Sequence, residues 1–269
     1  MSINARSLIN KFDVFQATIH DSQPDVVGVT ESWAHDGILD SELQLLGYDM
    51  FRCDRHSGNR GGGVLLYVKS IWKPVQFYTS SHYDEHVWCQ IGDLLIGVCY
   101  RSSNTEIVGL DNESKLNKVL HEVSSRNVLI MGDFNYPNID WSTYTTESPI
   151  SSGTFRFLET VDDAFYTQHV NKPTRGNSTL DLILTRDPDL VSNVMVLHNL
   201  DSSDHSMVSC TVHQACEYAQ DKKVIRDYKR GNYNLINTAL EAIDWNTFME
   251  GNADDCWVRF KNLLMDLID

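Results

Sequence analysis

One stretch, Val128 to Asn135 (VLIMGDFN), constrains this chain more than any other. Four consecutive apolar residues that stop at a glycine read as a central strand covered on both faces. Gly132 predicts a sharp turn where that strand ends. Asp133 and Asn135, two apart in an extended segment, are then expected to point into one cleft. A carboxylate and an amide so placed can hold a metal or a water and contact a phosphate. An ordinary strand-end turn capped by Asp and Asn uses the same residues, so the rest of the chain must decide.

At 269 residues and 42% hydrophobic content the chain can bury a large core, and one main domain is expected. The longest apolar runs, such as Leu94 to Tyr100, fall far short of the roughly 18 residues a membrane span needs, so no membrane partner is expected. Residues 1–20 lack the pattern of a secretory signal. Cys53, Cys89, Cys99, Cys210, Cys216 and Cys256 show no CxxC spacing and sit mostly in apolar segments. They read as buried thiols of a nuclear or cytoplasmic, reducing compartment, not of a secreted protein. The net charge of -15 argues against a partner bound mainly through a phosphate backbone. A carboxylate-rich metal site is partly neutralised by its ion, however, and Arg6, Arg55, Arg60, Arg101, Lys172 and Arg175 lie beside the motifs below.

Along the chain, Ser7 is expected to cap a helix that buries Leu8, Phe12, Phe15 and Ile19. Asn4 stands before it, at the end of a short first-strand fragment. Val26 to Thr30 reads as a buried strand with Glu31 at its carboxyl end, the edge where ligands bind in open α/β sheets. Tyr48–Cys53 and Val64–Val68 form a strand pair joined by a flexible GNRGGG connection. A P-loop is rejected there, because GK[ST] and a following helix are both missing. Val87–Ile91 and Leu94–Tyr100 flank a Gly92-Asp93 turn, with Tyr100 and Arg101 in reach of a phosphate. Helices are marked by Leu116, Val119, Leu120 and Val123, and by Phe155, Leu158 and Val161. Strands follow at Ser178–Leu184, Val191–His198 and Met207–Val212. Asp181, inside the first of these, needs a partner, and His205 of the Ser203-Asp204-His205 segment is the candidate. From Cys216 a basic cluster (Lys222, Lys223, Arg226, Lys229, Arg230) leads into two helical segments. One carries Leu235, Ile236, Leu240 and Ile243, the other Trp257, Phe260, Leu264 and Leu267, and neither holds a catalytic constellation.

Asn4, Glu31, Tyr100, Asp133 with Asn135, Asp181, and Asp204 with His205 follow the order of the endonuclease/exonuclease/phosphatase superfamily, which the chain resembles over residues 2–213. NARSL, TESW, CDR with RGGGVLLYV, VCYRSSN, GDFN, STLDLIL and SDHS are more closely similar to the endonuclease domain of non-LTR retrotransposon polyproteins, the jockey-like LINE groups. DNA-repair relatives carry an acid two residues after the first Asn, where this chain has Arg6.

The resemblance implies a four-layer α/β sandwich, two packed mixed β-sheets flanked by helices, with a C-terminal helical tail. Residues 1–215 would be the catalytic domain and 216–269 a connector toward a reverse transcriptase region of the same polyprotein. It implies Mg²⁺ (or Mn²⁺) on Glu31, Asn4 and Asp204, and catalytic roles for Asp133, Asn135, His205, Asp181, Asp204 and Tyr100. Arg6, Arg101 and Arg175 would contact the phosphates of a DNA substrate, nicked to leave a 3′-hydroxyl. An abasic-site endonuclease, a small-phosphoester phosphatase and a decayed binding module remain open alternatives.

Overall fold

The computed structural model describes residues 1–55, 61–81, 83–103, 105–214 and 232–268. The chain forms two compact units, Met1–Tyr218 and Ala219–Asp269. The expected break at 215/216, Cys216, the basic cluster at 222–230 and the start of the GNRGGG segment lie outside the described residues.

The first unit is built from two six-stranded mixed sheets. In sheet A, β1 (Ser2–Asn4) runs parallel to β2 (Val26–Thr30), and β4 (Val64–Lys69) and β3 (Tyr48–Cys53) extend the sheet beyond β2. On the other side of β1 come β14 (Ser206–Val212) and the edge strand β13 (Val191–Asn199). In sheet B, β7 (Leu94–Tyr100) and β8 (Asn127–Asp133) are the parallel central pair, and every residue of β7 is buried. That is why both strands read as unbroken apolar runs. β6 (His86–Ile91) and β5 (Val75–Phe77) lie beyond β7, and β12 (Asp181–Thr185) and β11 (Thr167–Gln168) beyond β8. A separate two-stranded ribbon joins β9 (Ile139–Asp140) to β10 (Thr145–Thr146).

Three apolar clusters define four layers. Val64, Leu66, Val98, Leu129, Met131, Ile183 and Val208 fill the space between the sheets. Helix α1 (Phe12–Ser22) covers sheet A through Phe15 and Ile19. Helices α2 (Thr105–Val123) and α3 (Gly153–Asp163) cover sheet B through Leu116, Val119, Leu120, Phe157 and Val161. This is the α/β sandwich that the motif order implies.

Local details depart from the sequence reading. Ser7 caps no helix: it is buried at φ 77°, a 3₁₀ turn (Ile9–Lys11) precedes α1, and neither start has a side-chain cap. In α3 the fully buried aromatic is Phe157, with Phe155 only half-buried. Gly132 is not a turn at the strand end, because β8 continues through it to Asp133. It sits at φ +142°, and a Cβ there would lie 1.9 Å from the carbonyl oxygen of Cys99, so glycine is required for β7 and β8 to close together. Asp181 opens β12 instead of lying within it.

The second unit contains α4 (Tyr233–Glu241), α5 (Trp245–Phe248) and α6 (Ala253–Ile268). Asn232 and Asp244 cap the first two by accepting from the backbone N–H of Leu235 and Asn246. Trp245 packs on Phe248 and Phe260. Leu235 and Trp257, expected on the apolar stripes, are exposed.

Candidate active site

Every strand that supplies a site residue does so at one edge of the sandwich. β1, β7 and β8 end there with Asn4, Tyr100 and Asp133 and β2 ends one residue before Glu31, while β12 and β14, running the other way, begin there with Asp181 and the residue after His205. The two sheets meet through these side chains. Asn4 Nδ2 of sheet A donates to Asp133 Oδ2 of sheet B at 2.9 Å and to Glu31 Oε1 at 3.2 Å. Tyr100 Oη of sheet B donates to the same Glu31 oxygen at 3.2 Å.

Asp133 is fully buried, and its carboxylate is held by three donors. Asn135 contributes two of them, its backbone N–H to Oδ1 at 3.1 Å and its Nδ2 to Oδ2 at 2.8 Å. The segment is not extended as the sequence suggested: Asn135 adopts φ 52°, and this left-handed step folds its amide back onto Asp133. Glu31 (φ 51°), Trp33 (φ 57°) and Arg6 (φ 42°) are left-handed too, so the site includes several strained backbone positions. The strained Glu31 segment is clamped on both sides. Ser7 N–H donates to Glu31 O, and Ser32 and Trp33 N–H donate to Gly63 O and Gly62 O. Gly63 is therefore more than a flexible connection, since a Cβ on it would stand 2.6 Å from Ser32 Oγ.

His205 is buried, with Nδ1 2.8 Å from Asp181 Oδ2 and Nε2 3.9 Å from Asp133 Oδ2. Burial alone would lower its pKa, but the hydrogen bond and charge of Asp181, with that of Asp133, raise it and favour the imidazolium. Burial pushes the Asp133 carboxyl well above its ordinary range, and the charges of Asp181 and Glu31 push it further. Burial, then Glu31 and Asp133, likewise holds Tyr100 as the protonated phenol, a donor. Carboxylates crowded this closely fit a divalent cation, which would neutralise them. Asp133, Asp181 and His205 offer donor atoms within 4.8 Å of one another, and the hydrogen bond between them engages His205 Nδ1 and Asp181 Oδ2.

Two expected site residues are engaged by other partners. The Oδ2 of Asp204 is bound by Arg6 Nη1 at 3.0 Å and Arg175 Nη2 at 2.7 Å. Arg101 is buried and unavailable to a phosphate. Its guanidinium pairs with Glu113 at 2.5 Å, donates to Asn135 O at 3.0 Å and lies over the Tyr136 ring at 4.1 Å.

The supporting roles of several residues are not visible in the sequence. Trp33 Nε1 donates to Glu31 Oε2 at 3.2 Å, signalled only by its place in TESW. Thr174 Oγ1 accepts from the N–H groups of Leu180 and Asp181, both at 3.0 Å. Ser203 Oγ donates to Asn4 O at 2.8 Å. A buried Arg55–Glu85 pair at 2.9 Å supports the Tyr100 ring from the side, with the guanidinium 5.7 Å from the ring centre.

Residues 1–205 match the family model described as the endonuclease/exonuclease/phosphatase family. The chain belongs to that family. Members hydrolyse phosphoesters. Among curated protein sequences none matches. Solved structures do. A 3′ phosphatase, NExo, from Neisseria, bound to a product DNA hairpin, aligns at TM-score 0.58 and 16% identity over 79% of this chain and 98% of that one. An AP endonuclease from Archaeoglobus fulgidus aligns at 0.58 and 10%, over 78% and 97%. The endonuclease domain of TRAS1, a telomere-specific non-LTR retrotransposon, aligns at 0.55 and 11%, over 78% and 95%. At such identities the likeness is one of fold.

Proposed function

We propose that this member of the endonuclease/exonuclease/phosphatase family is a divalent-metal-dependent DNA endonuclease that nicks one strand and leaves a 3′-hydroxyl to prime reverse transcription. The observation that carries the reading is the meeting of Asn4, Glu31, Tyr100, Asp133, Asn135, Asp181 and His205 at one edge of two facing sheets. The retrotransposon-like motifs, and the DNA hairpin and retrotransposon origin named for two structural neighbours, favour DNA over a small phosphoester.

In this reading Asp133, fixed by Asn4 and Asn135, orients the attacking water and accepts its proton. The P–O3′ bond breaks, and the leaving 3′-oxyanion takes a proton from solvent water to become the 3′-hydroxyl. His205, oriented by Asp181, and the Tyr100 phenol face the charge that grows on the phosphate oxygens. Glu31 with Asn4 would hold Mg²⁺ or Mn²⁺, which when bound supplies Lewis-acid neutralisation of the phosphate. Residues 1–215 would be the catalytic domain, and 216–269 the connector toward a reverse transcriptase in the full polyprotein. Cys53, Cys89, Cys99, Cys210 and Cys256 are free thiols, which suits a reducing nuclear or cytoplasmic compartment. Among the described residues no helix is long and apolar enough to cross a membrane.

Nicking of supercoiled plasmid, with and without Mg²⁺, tests the reading. Metal-dependent conversion to open circles is expected, and Asp133→Ala and His205→Ala should each lose at least ~100-fold. Cleavage confined to abasic sites would make the chain a repair-type enzyme, and turnover of a soluble phosphoester alone would make it a phosphatase. Binding without cleavage would make it a binding module.

A further inference from the structure

Asp204 is the residue whose position the reaction leaves unexplained. It precedes His205, yet its carboxylate receives two guanidinium groups on one oxygen. The side chains of Arg6, Arg175 and Asp204 are 51%, 42% and 34% exposed, so the trio sits on the open rim and not in the core. Each arginine carries five donors. A single carboxylate oxygen engages few of the ten, and the others remain for a ligand. The net charge of the trio is positive, in a chain whose overall charge is -15.

The three residues are mounted on backbone that is tied to the reaction centre. Arg6 N–H donates to Asn4 Oδ1 at 3.1 Å, and Arg6 O accepts from the buried Lys11 Nζ at 2.9 Å. Arg175 is in a tight bridge to Ser178, beside Thr174, whose hydroxyl holds the Asp181 backbone. Ser206 N–H donates to Thr174 O, and Ser203 Oγ binds Asn4 O, so the segment carrying Asp204 is fastened to both arginine segments. Two guanidinium forks converge on one point beside Asn4, Asp181 and His205, and a planar fork is the side chain best suited to phosphate oxygens.

We propose that Arg6, Arg175 and Asp204 form a preformed seat for a backbone phosphate flanking the cleaved linkage, in which Asp204 is a positioning residue that gathers the two arginines and not a metal ligand. The seat rests on the nucleic-acid reading above, and it assigns the strand a contact that does not depend on metal. The roles open to Asp204 differ in sign. If it merely repels DNA, its neutralisation tightens binding. If it holds metal, its loss shifts the Mg²⁺ requirement and leaves metal-free binding alone. If it gathers the arginines, its loss weakens metal-free binding, and does so only while the arginines are present.

Fluorescence anisotropy of a labelled DNA duplex in EDTA, over a salt series, separates these cases for the full chain. The proteins compared are wild type, Asp204→Asn, Arg6→Gln/Arg175→Gln, and the triple variant. Asp204→Asn is expected to weaken binding about 10-fold. Arg6→Gln/Arg175→Gln should lower the slope of log affinity against log salt by about 1, the signature of one lost phosphate contact. The triple variant should bind like the double one, and the Mg²⁺ concentration for half-maximal nicking by Asp204→Asn should match wild type. Equal or tighter binding by Asp204→Asn, additive losses in the triple variant, or an unchanged salt slope in the double arginine variant would each overturn the seat. The double variant retains Asp204, so this last measurement stands even if Asp204→Asn fails to fold. If wild type nicks DNA but these results fail, the seat alone falls; if wild type binds no DNA, the nuclease reading falls with it.

Discussion

Asp133 and Asp181 are cross-strand partners, in register at the shared end of β8 and β12, and the His205 ring is hydrogen-bonded to Asp181 with its other nitrogen 3.9 Å from Asp133. Sheet pairing thus sets the two acids side by side, and the bend that precedes β14 brings the imidazole to them. Asp181→Asn keeps the shape of the side chain but removes the charge that orients and charges His205. Single-turnover nicking should fall at least ~100-fold, with DNA affinity within about threefold of wild type. Parallel loss of binding, with unchanged turnover of the bound complex, would refute the orienting role.

Arg101 and Asn135 are bound reciprocally: the guanidinium donates to Asn135 O at 3.0 Å, and Asn135 Nδ2 donates to Arg101 O at 2.8 Å. Arg101→Lys keeps a charge for Glu113 but not the fork that also reaches Asn135. The expected result is a kcat lower by roughly 10- to 100-fold at nearly constant KM, measured alongside thermal unfolding. A change confined to KM would return Arg101 to the substrate.

Gly132→Ala places a methyl against the Cys99 carbonyl at a φ of +142°. The β7–β8 pair must open to admit it, at a cost of about 3 kcal/mol or more. Urea unfolding would report it, and a loss under about 1 kcal/mol would mean that the strands separate easily.

His86 accepts a hydrogen bond at Nδ1 from Trp88 Nε1 at 2.9 Å, which requires that nitrogen to be unprotonated. Burial lowers its pKa from 6.5 to about 4, only partly offset by Glu122 and Asp84. A histidine depressed in the folded state contributes stability in full above the unfolded value, near 6.5, and loses it as pH falls toward 4. The loss should be on the order of 2 kcal/mol. Chemical denaturation at pH 7, 5.5 and 4 should show it in wild type and much less in His86→Gln.

A chain ending after Gln214, beyond the last strand of sheet A, retains all the residues that converge on the site. It should fold and nick at rates within about threefold of the full chain, as expected of independent units. Insolubility or lost activity would assign the helical unit to the catalytic fold.

Much of this arrangement was legible because it is written in local patterns. The apolar runs of β7 and β8 announce strands buried on both faces, and an Asp read inside an apolar strand demands the partner that His205 supplies. What escaped were effects decided by distant backbone. Gly132 passes for a turn residue until Cys99 is seen against it. Arg101, adjacent to Tyr100, passes for a phosphate contact until Glu113 and Tyr136 enclose it. Asp204 takes its role from residues 6 and 175, which no spacing connects. β5, β9, β10 and β11 are too short and polar to show a period.

The pairing of Ser2 with Val208 puts the first strand of sheet A beside one of the last to be made. During synthesis Asn4 must therefore wait, through two hundred residues, for the segment that carries His205 and closes the sheet around it. Contacts of such sequence separation form late and slowly. A nascent or prematurely ended chain holds the acids without the imidazole and leaves the edge of β1 open. In the proposed reading, competence to cut is thereby tied to synthesis of the segment that carries His205, and a chain stopped before residue 205 would not be partially active.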